Sequence, residues 1–142
     1  MLKVFLDTNI LVSATFWKGS SYKLFLKILH DEISGYTSND ILQEYRNVLK
    51  RDFQLDENEV DIRIEKFIKV LEIVSPSKTL DVIKEDPTDN RVLEGAIEAE
   101  ADFIVSYDQH LLKLKKYNRI SIAPPEQVIE YHGSNSISNI SA

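Results

Sequence analysis

Four acids sit where a folded chain could bring them together. Asp7 closes the apolar run "LKVFL" and is followed by Thr8 and Asn9; Asp108 stands two residues after "FIVS"; Asp89 ends "DPTD" at the start of a helical pattern; Glu44 lies three residues after Ile41 and four before Val48. Each has a structural use when taken singly. Asp108, before Gln109, His110 and Leu111, reads as an N-cap worth about 1 kcal/mol, and Asp7 could brace a turn through Thr8 and Asn9. Asp86 fits an N-cap with Pro87 at N1, which leaves Asp89 at N3 beside the helix dipole. Glu44 borders the apolar stripe of its helix instead of opposing it, as a rim carboxylate reaching a backbone donor or a basic side chain would. Brought to one place, the same groups mean something else. Two carboxylates about 4 Å apart repel by roughly 4 kcal/mol at an effective dielectric of 20, so a cluster needs protons or a cation. Mg²⁺ or Mn²⁺ fits: these ions take carboxylates and water, keep positions open for phosphate oxygens and activate a bound water. With no cysteine and only His30, His110 and His132, a zinc site has little to draw on.

The elements that must carry these acids can be read from periodicity. Residues 2–6 are near-continuous β-formers, as in a strand covered on both faces. From Ser20 to about Asp31, Leu24, Phe25, Ile28 and Leu29 recur at helical spacing behind serine caps. "SGYTS" at 34–38 predicts a short strand, and 41–50 a helix through Tyr45, Val48 and Leu49. Residues 58–73 predict an amphipathic helix with Val60, Ile64, Phe67, Ile68 and Leu71 on one stripe, and "LEIVSPS" a strand before the Pro76 break. A helix starting at Asp86-Pro87-Thr88-Asp89 faces Val92, Leu93, Ala96 and Ile97 inward; the strand "DFIVS", the short helix "YDQHLLKL", the strand "ISIA" and a helix from Pro124-Pro125 to about Tyr131 follow. Alternating strands and helices define an α/β domain with a mostly parallel sheet, whose ligands bind beyond the carboxyl ends of the strands. Asp7 and Asp108 both belong to that edge.

At 142 residues the chain is sized for one domain, here 1–132, with 133–142 composed like a disordered tail. The absence of an apolar run near 20 residues, and of a signal-like start, predicts a protein with no membrane span and a cytoplasmic location. The net charge of −6 runs against nucleic-acid binding, but it is concentrated: residues 51–102 carry seven basic and fifteen acidic side chains, net −8, and the flanking segments are each +1. The run "KLKKYNR" offers Lys113, Lys115, Lys116 and Arg119 to substrate phosphates; it reads equally as a charged helix end complementing the dipole.

The order "FLDTNIL", "ILQEY", "DPTDNRVLEGAIEAEADFIVSYDQHLL" resembles the PIN-domain family, metal-dependent nucleases that include VapC-type toxin ribonucleases. The resemblance spans residues 2 to about 130. It implies a three-layer α/β/α sandwich with a mostly parallel central sheet and an acidic pocket. In that pocket Asp7, Glu44, Asp89 and Asp108 would be the catalytic and metal-binding quartet, holding Mg²⁺ or Mn²⁺ for hydrolysis of RNA phosphodiesters. Asn9 and Ser106 match supporting polar positions, and Asp86 is a further acid at the pocket mouth. The resemblance also implies a homodimer and, for the toxin branch, a small antitoxin that blocks the pocket. Two residues depart from the pattern: Tyr107 stands where many relatives have a small residue, and His110 where a further acid is frequent in the branch that looks most similar.

The leading expectation is therefore a divalent-metal-dependent endoribonuclease, the toxin of a toxin–antitoxin pair. A catalytically inactive PIN-fold module that binds protein is the competing class, suggested by the acidity and Tyr107. A nuclease acting on DNA or structured flaps would share the same pocket.

Overall fold

In a computed structural model of the chain, the backbone is described for residues 1–141 and side chains for 1–134. The elements in order are β1 (Lys3–Leu6), α1 (Thr8–Phe16), α2 (Ser20–Leu29), β2 (Ser34–Ser38), α3 (Asn39–Phe53), α4 (Glu57–Ile68), β3 (Glu72–Val74), a 3₁₀ turn (Pro87–Asp89), α5 (Asn90–Ala99), β4 (Phe103–Val105), α6 (Gln109–Leu114), β5 (Lys116–Tyr117), β6 (Ile120–Ala123) and α7 (Pro125–Ser141). The sheet order is β3-β2-β1-β4-β6-β5. All pairings are parallel except β5 with β6, so β1, β2, β3, β4 and β6 end on one edge.

Val4, Phe5 and Leu6 of β1 are fully buried or nearly so, because the central strand is covered on both faces. Each face has its own close approach. A Cβ at Gly95 of α5 would run into the Phe5 ring, and one at Gly35 of β2 into the side chains of Ile28 on α2 and Leu71. These two glycines let helices settle against opposite faces, which makes the three-layer α/β/α arrangement. At the sheet's carboxyl edge, the buried Thr37 hydroxyl donates to the Leu6 carbonyl (3.1 Å), and Asp7 N–H donates to the Val105 carbonyl (3.1 Å). The ends of β2, β1 and β4 are thereby tied in register immediately before the acids.

Several elements differ from the reading of the sequence, each for a physical reason. The segment after Asp7 is a nine-residue helix, α1, rather than a turn. Its sequence, "TNILVSATF", is apolar on most sides and shows no polar face from which a period could be read. Helix α4 stops at Ile68, which is half exposed, while Leu71 is buried beyond the helix end. The cationic run is not a continued helix: Lys115 has φ 62° and Asn118 φ 54°, and these left-handed residues turn the chain into the β5–β6 hairpin. Finally, α7 extends to Ser141 instead of about Tyr131. The tail expected over 133–142 falls, beyond Ser134, outside the residues whose side chains are described.

Residues 75–86 have no regular structure and are fastened to α5 along one helical row. Glu98 accepts from Ser77 N–H (2.9 Å), Glu94 from Leu80 N–H (2.8 Å), and Asn90 from both Val82 and Ile83 N–H (2.8 Å each). The Asn90 amide also donates to the carbonyls of Ile83 and Pro87 (3.0 Å each). Asn90, Glu94 and Glu98 sit four residues apart and so share a face. They satisfy the loop's backbone donors and fix the approach to Asp86.

Candidate active site

Asp7 is 5% exposed and fully engaged. Its Oδ1 accepts from Thr8 N–H (2.7 Å); its Oδ2 accepts from the Ser106 hydroxyl (2.6 Å) and the Asn9 amide (3.1 Å). Asn9 in turn accepts from Tyr107 N–H (3.0 Å), and the Ser106 hydroxyl oxygen accepts from Asp108 N–H (2.9 Å). One network thus runs from the tip of β1 to the tip of β4. Burial pushes the Asp7 carboxyl up to about 6; the hydrogen bonds from Ser106 and Thr8 pull against this, and the charges of Glu44 and Asp108 add to it.

Asp108 accepts from His110 N–H (2.8 Å) and Leu111 N–H (3.2 Å), capping α6. Its structural reading is correct, and it also faces the acid cavity. Asp86 likewise caps the 3₁₀ turn, accepting from the Thr88 hydroxyl (2.6 Å) and Thr88 N–H (3.3 Å). Asp89 is different. It is 8% exposed, yet its Oδ2 has no hydrogen-bond partner. Burial, followed by the shared hydrogen bond and charge of Asp108 and the charges of Asp86 and Asp7, holds its carboxyl far above the usual range. Glu44, more exposed, is also raised, first by partial burial and then by Asp86 and Asp108, with the Thr8 hydroxyl and Arg51 opposing.

These side chains share one cavity of about 360 Å³, lined by Asp7, Thr8, Asn9, Glu44, Asp86, Asp89 and Asp108 at one end and by Val12, Ser13, Trp17, Val48, Asp52 and Phe53 at the other. All four acids named from sequence are therefore brought together, with Asn9 among them and Ser106 buried behind. The tightest group is a different four: one ligand atom from each of Asp86, Asp89, Asp108 and His110 lies within 4.8 Å of all the others. His110 Nδ1 is 3.7 Å from Asp89 Oδ2 and 3.8 Å from Asp108 Oδ1. Asp86 and His110 thus stand closer to the centre than their places in the sequence suggested. Tyr107 turns away, donating its hydroxyl to Glu126 (2.6 Å). Lys113, Lys115, Lys116 and Arg119 are exposed on α6 and the hairpin and do not line the cavity.

Sequence reasoning missed Trp17, Val48 and Phe53, the apolar wall of the cavity, and Asn90. The signal for the wall was faint: a lone tryptophan in "FWKGS" between two helices. For Asn90, Glu94 and Glu98 the signal was the four-residue spacing of polar side chains inside an otherwise apolar helix.

The donor set suits a divalent cation: carboxylates converge with an imidazole, and a buried carboxylate oxygen, Asp89 Oδ2, is left without a partner. Comparison with known proteins agrees with the fold. A family model described as "PIN domain" matches residues 3–110, and the chain belongs to the PIN-domain family. Among solved structures it is similar to VapBC2 from Rickettsia felis, crystallised with a DNA fragment from its promoter (TM-score 0.62, 19% identity, 85% of this chain and 97% of that one). It is also similar to PAE2754 from Pyrobaculum aerophilum (TM-score 0.61, 12% identity, 94% of this chain and 96% of that one). A search of curated proteins finds no match. No helix among the described residues is long and apolar enough to cross a membrane.

Proposed function

We propose that the chain is a divalent-metal-dependent endoribonuclease and the toxin of a toxin–antitoxin pair. The observation that carries this is the partnerless, buried Asp89 oxygen among Asp86, Asp108 and His110, in a cavity that Asp7 and Glu44 also line. Asp7, Glu44, Asp89 and Asp108, with Asp86 and His110 beside them, would hold Mg²⁺ or Mn²⁺. When bound, such an ion offsets the carboxylate repulsion, lowers the pKa of a coordinated water and polarises a phosphodiester. The protein's own part is positional. Ser106, Asn9 and Thr8 N–H fix both oxygens of Asp7, so that this carboxylate is presented in one orientation. Asp108 is held just beyond β4 by its own N–H, which donates to the Ser106 hydroxyl, and by the His110 and Leu111 N–H groups, which donate to its carboxylate. Asp89, with no backbone donor on its carboxylate and its Oδ2 left without a partner, is the group that would give up its proton on binding a cation.

RNA as substrate, and an antitoxin as partner, follow from the resemblance to toxin ribonucleases; a cytoplasmic location and a homodimer belong to the same proposal. The test is direct. Purified protein should cleave RNA with Mg²⁺ or Mn²⁺ and stop with EDTA, in preference to DNA of equal length in competition. Cleavage by Asp7→Asn at the wild-type rate would reject this mechanism, and calorimetry showing no Mn²⁺ site would instead favour a non-catalytic binding module.

A further inference from the structure

We propose that Trp17 is a stacking platform for an unpaired nucleobase of the RNA strand, a short way along the strand from the phosphate taken by the acid cavity. This rests on the nuclease reading above and adds a substrate subsite to it. Several large apolar side chains are exposed, including Leu29, Ile62, Ile68, Tyr107 and Tyr131, but among the described residues Trp17, 57% exposed, is the one of them that lines the cavity shared by Asp7, Glu44, Asp89 and Asp108. A single exposed apolar residue needs no explanation, whereas one built into the wall of a polar site does.

The ring is also held. Phe16 and Phe53 stack on each other (centroids 4.1 Å apart, 14° between planes), and Trp17 meets both edge-to-face at 5.9 and 6.4 Å. An aromatic fixed by two others loses little freedom when a base lies on it. Trp17 is the C-cap of α1 and Asp7 its N-cap, so about ten residues of helix at 1.5 Å each separate the platform from the acids. That span, about 15 Å, lies beyond the adjoining nucleotide and suits a base about two positions along the strand from the scissile phosphate.

Charge favours a base as occupant. The cavity holds Asp7, Glu44, Asp52, Asp86, Asp89 and Asp108 in a chain of net charge −6, which opposes an acidic peptide and draws no affinity from a phosphate backbone in the absence of a cation. Stacking adds affinity through a neutral group, and every base has a face for it. Double-stranded RNA has its bases already stacked, so the platform selects single strands.

The experiment uses the only tryptophan of the chain as its reporter. In EDTA, a short single-stranded RNA should quench Trp17 fluorescence saturably. An oligomer of the same backbone without bases, or the same RNA annealed to its complement, should leave it unchanged. With Mn²⁺, Trp17→Ala should raise KM for single-stranded RNA about five- to a hundred-fold with kcat within about two-fold, and Trp17→Phe should recover most of that loss. Equal quenching by the baseless oligomer, or an unchanged KM in a Trp17→Ala protein that keeps wild-type circular dichroism, overturns the proposal and reassigns the wall to a polypeptide partner. Absence of cleavage by wild-type protein overturns the nuclease reading alone; base-dependent quenching would then still establish the subsite.

Discussion

Asp7 and Asp89 are almost equally buried, 5% and 8% exposed, and they are built in opposite ways. Asp7 receives three hydrogen bonds and sits at the tip of the central strand; Asp89 begins a helix with one oxygen that nothing satisfies. The braced acid keeps a pKa of about 6 despite deeper burial, while the bare one is driven higher still. Burial raises both; hydrogen bonds to the charged form hold Asp7 down, whereas a hydrogen bond shared with Asp108 and the charges of Asp108, Asp86 and Asp7 drive Asp89 further up. One side of the site is pre-formed, and the other is left needing a proton or a cation.

Neutralising each acid in turn should separate the two most sharply. Asp7→Asn and Asp89→Asn should each reduce RNA cleavage at least about a hundred-fold, since both remove a charge from the centre. Their metal-free stabilities should move in opposite directions. Asp7→Asn sets an amide N–H₂ against donors and should cost about 1–3 kcal/mol; Asp89→Asn replaces a carboxyl that the fold must keep protonated with a neutral group and should gain about 1 kcal/mol or more. Urea melts in EDTA measure both, and equal destabilisation would dissolve the contrast.

The loop that brings Asp86 to the bare side depends on Asn90, whose four hydrogen bonds go to buried or half-buried backbone groups. Asn90→Ala should cost about 2–4 kcal/mol and make residues 75–86 the first site of proteolysis.

Acidity probes the pair together. Folded Asp7 keeps its proton up to about pH 6, whereas an ordinary aspartate loses it near 3.8. Between those values the native state binds more protons, so this group's contribution to stability falls as pH rises, and Asp89 and Glu44 act in the same direction. Metal-free protein should therefore gain thermal stability on going from neutral pH to about pH 5. Saturating Mn²⁺ should abolish or reverse that gain, because cation and protons compete for the same oxygens. Identical pH profiles with and without the ion would show that these acids do not share it.

A smaller effect belongs to the brace. Ser106→Ala removes the 2.6 Å bond to Asp7 and the acceptor for Asp108 N–H, so activity should fall several-fold, stability by about 1–2 kcal/mol, and the pKa of Asp7 should rise. The smallest belongs to the cationic hairpin: Lys116→Ala, outside the cavity, should change cleavage less than about two-fold.

How much of this could be read beforehand varied with the length scale of the interaction. The strands "KVFL", "FIV" and "ISIA" carry their own apolar signal, and Asp86 and Asp108 cap the turns that follow them through contacts two or three residues away. Helix α1 was hidden because residues apolar on most sides show no period. The hairpin at Lys116 was hidden because a lysine gives no sign of the positive φ at Lys115, and Asn118 alone, though a residue that tolerates it, does not mark a hairpin.

The sequence by itself determined that strands and helices alternate, that one edge of a parallel sheet collects Asp7 and Asp108, and that no thiolate could take part in the chemistry. Those are matters of local propensity and residue inventory. Only the tertiary structure decided that Asp89 is buried without a partner, that Asp86 and His110 join it more closely than Glu44 does, and that Trp17 closes the far wall. Each of these depends on side chains from separate elements meeting across the top of the sheet, and desolvation and mutual repulsion exist only once that meeting has happened.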